Sequence, residues 1–157
     1  MQRRTLLQAM LVTALPVSAL AHAAAGPVVD VYKTAGCGCC EAWIEHLKAN
    51  GFGVKAQNVS DTGAYREKFG IPNDFGSCHT GFVQGYAVEG HVPASDIKRL
   101  LAEKPKAKGL AVPSMPLGSP GMGGARKDPY DVFLIKVDGS MSVYQHYSGD
   151  IPKGPVT

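Results

Sequence analysis

Three of the chain's four cysteines lie within four positions, at Cys37, Cys39 and Cys40. The fourth, Cys78, is followed directly by His79. Thiols this close together can exchange electrons as a dithiol, close a structural disulfide, or bind a soft metal ion as thiolates. Cys37 and Cys40 have the Cys-x-x-Cys spacing of thioredoxin-type oxidoreductases, but Cys39 lies inside that motif and would compete for any mixed disulfide.

The elements next to the cluster predict where it lies. A β-branched run over Val28–Tyr32 indicates a buried strand directly before the cysteines. A helix is predicted from about Cys39, because Trp43 and Leu47 share one face, and Asn50-Gly51 ends it. The first turn of this helix, whose free N–H groups favour thiolate over thiol, therefore carries the cluster.

The rest of the chain alternates strands and helices. The predicted elements are a strand at 54–59, a short helix at 62–69, strands at 80–84 and 86–92, a helix from Pro93, and strands at 131–137 and 141–147 around Asp138-Gly139. The order predicts an α/β, thioredoxin-like fold, with a central mixed sheet flanked by helices and an added C-terminal β-hairpin. We expect the core to contain Val29, Val31, Trp43, Leu47, Phe82 and Leu100.

In a thioredoxin-like fold, the loop after the first strand faces the loop that enters the later hairpin. Cys37, Cys39 and Cys40 lie on the first loop and Cys78 on the second, where thioredoxin-type enzymes carry a cis-proline, so all four sulfurs should converge. Four convergent thiolates select soft metals, above all Cu(I), with Zn(II) second. Adjacent cysteines fit a single tetrahedral zinc poorly, so we expect more than one Cu(I) per chain.

Other side chains are secondary candidates. His79 follows Cys78 and could complete a coordination shell or be a hydrogen-bonded strand residue. Met115 and Met122 lie in a loop rich in glycine and proline, where thioethers could bind Cu(I) or pack as adaptable hydrophobic side chains. For His91 a structural or cleft-lining role is favoured over ligation, and His46 is expected to face solvent.

The N-terminus predicts export. Arg3-Arg4 precedes an apolar run over 6–20 and then small residues, so residues 1–25 are expected to be a signal peptide that is removed, by the general or the twin-arginine route. The run is short for a membrane span and contains a proline, so no membrane attachment is expected after cleavage. Residues 26–157 would then form a single metal-binding domain in the periplasm.

The net charge and the length of the chain after cleavage limit its partners and the kind of core that it can form. Cleavage would remove two arginines and no acidic residue, so the number of lysines and arginines would fall from 16 to 14. With 13 acidic residues, the net charge would change from +3 to +1. We therefore expect no nucleic-acid partner. The remaining roughly 130 residues can bury an ordinary core without obligatory disulfides.

Three segments, residues 31–52, 70–101 and 109–122, resemble a family of exported metal-binding proteins related to CopG, whose domain has no assigned function. Members of this family accompany copper-resistance systems of Gram-negative bacteria. The resemblance extends from Val29 to Tyr147 and rests mainly on Cys-x-Cys-Cys combined with the distant Cys-His. It implies a thioredoxin-like fold, a periplasmic location, and copper binding by the four cysteines.

Together these features predict a periplasmic copper-binding protein of copper resistance or homeostasis. It would sequester Cu(I), deliver it to another periplasmic copper-handling protein, or shuttle electrons between Cu(I) and Cu(II). No acid-base pair or substrate pocket is apparent, so metal binding is favoured over catalysis. The alternative is a periplasmic thiol-disulfide oxidoreductase that uses Cys37 and Cys40.

Overall fold

The computed structural model describes residues 26–150, which form a mixed α/β fold around one seven-stranded sheet. The strands are β1 (Val28–Lys33), β2 (Gly53–Asn58), β3 (His79–Val83), β4 (Tyr86–Glu89), β5 (Ala107–Ala111), β6 (Tyr130–Lys136) and β7 (Met141–Tyr147). The helices are α1 (Gly38–Ala49), α2 (Thr62–Lys68) and α3 (Ala94–Glu103), with a 3-10 turn at Asn73–Phe75.

The sheet has the strand order β2-β1-β3-β4-β5-β6-β7. β1 is parallel to β2 and β4 to β5, and the other neighbouring pairs are antiparallel. The β1–β3 register pairs Lys33 with His79. The end of β1, from which the chain enters the cysteine cluster, therefore lies beside the start of β3, which Cys78 immediately precedes.

α1 and α3 pack on one face of the sheet and form the larger core. Trp43 and Leu47 of α1 and Ile97 and Leu100 of α3 are all fully buried. Trp43 lies over Gly81 of β3, where a Cβ would come within 3.4 Å of the indole ring. The absence of a side chain at this position lets the indole pack closely on the strand.

A smaller cluster covers the opposite face, where Ile71 and Phe75 pack with side chains of β4, β5 and β6. The prediction that Phe82 belongs to the main core is wrong. Phe82 is half-buried, and its ring stacks on that of Phe69 with 4.5 Å between centroids. Side chains alternate along a strand, so Gly81 and Val83 face α1 while Phe82 faces away.

The predicted strands and helices next to the cluster are present, with ends shifted by at most three residues, the largest shift being the earlier end of β4 at Glu89. β5 is an addition that the sequence pattern does not predict. It lies between β4 and β6, and Gly109 at its centre approaches the Ala87 carbonyl so closely that a Cβ would clash with it. The predicted signal peptide lies outside the described residues, among which no helix is long and apolar enough to cross a membrane.

Candidate metal centre

The loop between β1 and α1 delivers three cysteines to the start of a helix. The chain turns at Gly36, whose φ of +75° favours glycine, and Cys37 is the N-cap residue of α1. Cys39 and Cys40 follow in the first helical turn. Cys78 comes from the residue before β3, so the pairing of β1 with β3 brings the fourth sulfur to the same place.

The sulfur atoms converge, as predicted. The Sγ atom of Cys39 lies 3.5 Å from Sγ of Cys37 and 3.7 Å from Sγ of Cys78. The Sγ atom of Cys40 lies 3.6 Å from Sγ of Cys78. Sulfurs that bind one tetrahedral ion at about 2.3 Å are themselves about 3.8 Å apart, so these distances suit sulfurs that share metal ions.

The cluster is partly oxidised. Cys37 and Cys40 form a disulfide, whereas Cys39 and Cys78 are free thiols. A disulfide sulfur is not a thiolate, so in this form the cluster offers two thiols as ligands. Two electrons and two protons, supplied by a dithiol reductant, convert the disulfide to the two further thiols.

Two histidines complete the site around Cys78. The Sγ atom of Cys78 lies 3.3 Å from Nδ1 of His79 and 3.1 Å from Nε2 of His91. Nδ1 of His91 donates to the Pro120 carbonyl oxygen at 2.8 Å, because a carbonyl can only accept. Since the proton of the neutral ring is on Nδ1, Nε2 carries a lone pair, and this lone pair faces the Cys78 sulfur. Cys78, His79 and His91 thus form a second group of side chains that could hold a metal ion.

The sequence favours a cleft-lining role for His91, and the structure adds this residue to the candidate ligands. His79 begins β3, and His91 follows the end of β4 by two residues. Because β3 and β4 pair antiparallel, both rings lie at the same end of the hairpin. The hairpin pattern in the sequence therefore contained the information needed to place His91 near Cys78.

Burial keeps the histidines neutral. The His79 ring is fully buried, 4.3 Å from the Trp43 ring between centroids. Burial, with a smaller effect of the neighbouring His91, lowers the pKa of His79 to about 3. Burial also lowers the pKa of His91. Neutral imidazole is the form that binds metal ions, so both rings are ready to act as ligands at neutral pH.

Burial has the opposite effect on the thiol. It raises the pKa of Cys78 to about 12, and the nearby Cys39 raises it further. Without a metal ion, Cys78 is therefore protonated at neutral pH. A cation that binds the sulfur would displace this proton, which makes metal binding dependent on pH.

The loop between β5 and β6 covers the start of α1. A Cβ on Gly121 would come within 2.6 Å of the Cys39 carbonyl oxygen and 2.8 Å of the Trp43 backbone nitrogen, so the loop backbone touches the helix directly. Met122 is half-buried beside this contact, whereas Met115 is 49% exposed. The ligand roles of Met115 and Met122 stay predictions.

Within residues 26–150, the other two histidines, His46 and His146, have structural partners. His46 is half-buried, and its Nε2 accepts a hydrogen bond from the backbone N–H of Ala94 at 3.0 Å. It binds a free N–H group at the start of α3, so the expectation that it faces solvent is wrong. His146 is exposed and lies 2.6 Å from a carboxylate oxygen of Asp131.

Residues 75–122 match the protein family described as "Protein of unknown function, DUF411". Two solved structures, entitled "Copper resistance protein copG", forms 2 and 1, are 47% and 48% identical to the chain. Each match covers 78% of this chain and 98% of the other, with a TM-score of 0.74. No curated protein matches the sequence.

Proposed function

The chain belongs to the CopG-like family of copper resistance proteins, and from that premise we propose that it binds copper as Cu(I) in the cluster of Cys37, Cys39, Cys40 and Cys78. The observation that carries the proposal is the convergence of the four sulfurs, which includes one contributed from 38 residues away. Thiolates are soft ligands, and they favour Cu(I) over harder ions.

We propose further that more than one copper ion is held. The four sulfurs form one potential metal group, and Cys78, His79 and His91 form another. Cys78 is common to both groups, which supports a bridging role for its sulfur.

The Cys37–Cys40 disulfide supports a dependence of copper binding on redox state. With the bond closed, only Cys39 and Cys78 can ionise, so the chain would bind fewer copper ions. Reduction by a dithiol would restore all four ligands. Sequestration, delivery to a partner, and interconversion of Cu(I) and Cu(II) are the roles that such a cluster could serve.

The same disulfide favours a second candidate function, a thiol-disulfide oxidoreductase that uses Cys37 and Cys40. The order β1-α1-β2 followed by β3-β4-α3 supports the proposal that the domain is thioredoxin-like. Insulin reduction at a rate comparable to that of a thioredoxin, abolished by Cys37→Ser and indifferent to Cys78→Ser, would favour this candidate. Poor turnover by the copper-loaded chain would favour copper binding, since its thiolates are then occupied.

We also propose a periplasmic location, supported by the arginine pair and apolar run in residues 1–25. Fractionation of cells that express the full chain, with determination of the N-terminus of the recovered protein, tests it. The expected result is a periplasmic protein that begins near residue 26.

A competitive metal titration tests the proposed function. The chain is reduced with excess dithiol, freed of reductant under anaerobic conditions, and titrated with Cu(I) or Zn(II) while bound metal is measured by mass spectrometry. The proposal predicts more than one Cu(I) per chain and displacement of Zn(II) by Cu(I). A stable complex with one Zn(II) that Cu(I) cannot displace would contradict it.

A further inference from the structure

A buried ion pair lies behind Cys78, outside the sulfur and imidazole groups. Glu89, the last residue of β4, is fully buried, and its Oε1 accepts a hydrogen bond from Nε of Arg66 in α2 at 2.9 Å. The Arg66 side chain is 13% exposed. Removing two charges from water often costs as much as their attraction returns, so the burial of this pair is weak evidence for a stabilising role.

Both members of the pair bind the backbone beside Cys78. The N–H of Ser77 donates to Oε1 of Glu89 at 2.7 Å, and the Ser77 carbonyl accepts from Nη2 of Arg66 at 3.0 Å. On the other side of Cys78, the Thr80 hydroxyl donates to Oε2 of Glu89 at 2.6 Å. The pair therefore fixes the chain both before and after the cysteine.

Two glycines let this segment pack tightly against the ion pair. A Cβ on Gly76 would come within 2.8 Å of Cζ of Arg66, and a Cβ on Gly90 would come within 2.6 Å of Cβ of Ser77. The backbone around Ser77 consequently has little room to shift. Cys78 follows Ser77 directly, so the hydrogen bonds at Ser77 restrict the backbone position of the cysteine.

We propose that Arg66 and Glu89 are positioning residues that hold the Cys78 sulfur at its distances of 3.7 Å and 3.6 Å from the sulfurs of Cys39 and Cys40. They act through the Ser77 backbone and contact no sulfur themselves. A consequence that rests on the proposed copper function is that they also set the affinity of the cluster. Loss of outer partners of metal ligands costs about 10-fold to 100-fold in affinity.

The most informative variant is Arg66→Lys. A lysine can keep the ion pair with Glu89, but its single ammonium group lacks the planar fork that reaches both the carboxylate and the Ser77 carbonyl. The matched control is Arg99→Lys, which makes the same change at an exposed arginine of α3 paired with Glu103. Circular dichroism and the thermal midpoint establish that each variant is folded.

The first readout needs no copper. In a Cys37→Ser, Cys40→Ser background, Cys39 and Cys78 are the only thiols of the chain. Equilibration with reduced and oxidised glutathione measures how readily Cys39 and Cys78 form a disulfide with each other. In this reaction the two thiols give up two electrons and two protons, and glutathione disulfide takes them up to form two molecules of glutathione. The equilibrium gives the effective concentration of one thiol relative to the other. We expect Arg66→Lys to lower this effective thiol concentration about tenfold and Arg99→Lys to leave it unchanged.

The second readout is the Cu(I) affinity of the four-cysteine chain, which we expect Arg66→Lys to lower by at least about tenfold. A lower effective thiol concentration with unchanged copper affinity would support the positioning role but contradict copper binding by Cys78. If a folded Arg66→Lys variant matched Arg99→Lys in the glutathione equilibrium, the positioning role would be wrong.

A second variant covers the case in which Arg66→Lys does not fold. The double variant Arg66→Met, Glu89→Gln leaves no buried charge without a partner, and its glutamine can still accept from the Ser77 N–H. The variant lacks the donor to the Ser77 carbonyl, and the glutamine NH2 group, which cannot accept from the Thr80 hydroxyl, can donate to its oxygen instead. The same drop in effective thiol concentration is expected, and an unchanged value would overturn the proposal.

Discussion

The Cys78 sulfur lies 3.1 Å from Nε2 of His91, and the two residues flank the β3–β4 hairpin on either side. The same sulfur lies within 3.7 Å of Cys39. Cys78 is thus the point at which the cysteine cluster and the two buried imidazoles meet.

Replacement of His91 should weaken copper binding. His91→Asn removes the imidazole nitrogen that faces Cys78 and retains a polar group near the Pro120 carbonyl, so we expect at least about a tenfold loss of Cu(I) affinity. Competition with a chromophoric Cu(I) chelator measures it. The control is His146→Asn at an exposed histidine, which should bind copper like the parent chain. Equal affinities for both variants would exclude His91 as a ligand.

Cys78→Ser and Cys39→Ser should reduce copper binding to a similar degree, by about one ion or more per chain, because a bridged cluster depends on each shared sulfur. Metal analysis of the anaerobically loaded proteins gives the stoichiometry. The core surrounds Trp43, Leu47 and Leu100 rather than the sulfurs, so both metal-free variants should keep the parent circular dichroism spectrum. Parent-like copper binding by Cys78→Ser would reduce the site to the local loop of three cysteines.

The loop over α1 should be sensitive to Gly121→Ala. Gly121 has a φ of +89°, and a Cβ would meet the backbone of Cys39 and Trp43, so we expect a loss of more than about 1 kcal/mol in the free energy of unfolding together with weaker copper binding. Urea denaturation and Cu(I) competition measure the two effects. Gly123→Ala is the matched control, because a Cβ there has no atom within 4 Å. Similar behaviour of both variants would mean that the loop does not press on the site.

Acid should destabilise the metal-free chain. The folded-state pKa of His79 is about 3, and burial also lowers that of His46, so the unfolded chain binds protons more readily. Stability is therefore highest above the ordinary histidine pKa of about 6.5 and falls as pH decreases below it, in the case of His79 down to about 3. The urea midpoint should decrease between pH 7.5 and 5.5 in the presence of a chelator.

His46→Gln isolates one part of this effect. Glutamine can accept the Ala94 N–H in place of Nε2 but does not titrate, so the urea midpoint of this variant should depend less on pH than that of the parent. His146→Gln, at an exposed position, serves as the control. An unchanged pH dependence in His46→Gln would show that protonation of this ring does not oppose folding.

Local sequence patterns were sufficient for the parts of the fold that position the cluster. The β-branched run before Cys37 and the spacing of Trp43 and Leu47 predict β1 and α1, and the turn at Gln84-Gly85, where both φ angles are positive, fits a tight hairpin. The position of Cys78 at the start of α1 depends in addition on the pairing of β1 with β3, which was expected from the order of the elements and not from a local pattern. The mixed α/β class follows from the same alternation.

Other features depend on tertiary contacts that no local pattern contains. β5 is short and has Gly109 at its centre, and it forms a strand because β4 and β6 lie on either side. The buried ion pair of Arg66 and Glu89 joins two elements far apart in sequence. The Cys-x-x-Cys spacing allows both a disulfide and a pair of metal ligands, so the redox state could not be predicted from it.

X-ray absorption at the copper edge identifies the atoms that bind copper in the cluster. The full chain is reduced, loaded with Cu(I) under anaerobic conditions and freed of unbound metal before measurement. We expect a first shell composed mainly of sulfur, with a smaller nitrogen contribution and scattering from neighbouring copper ions. A first shell of nitrogen and oxygen without sulfur would contradict copper binding by the cluster.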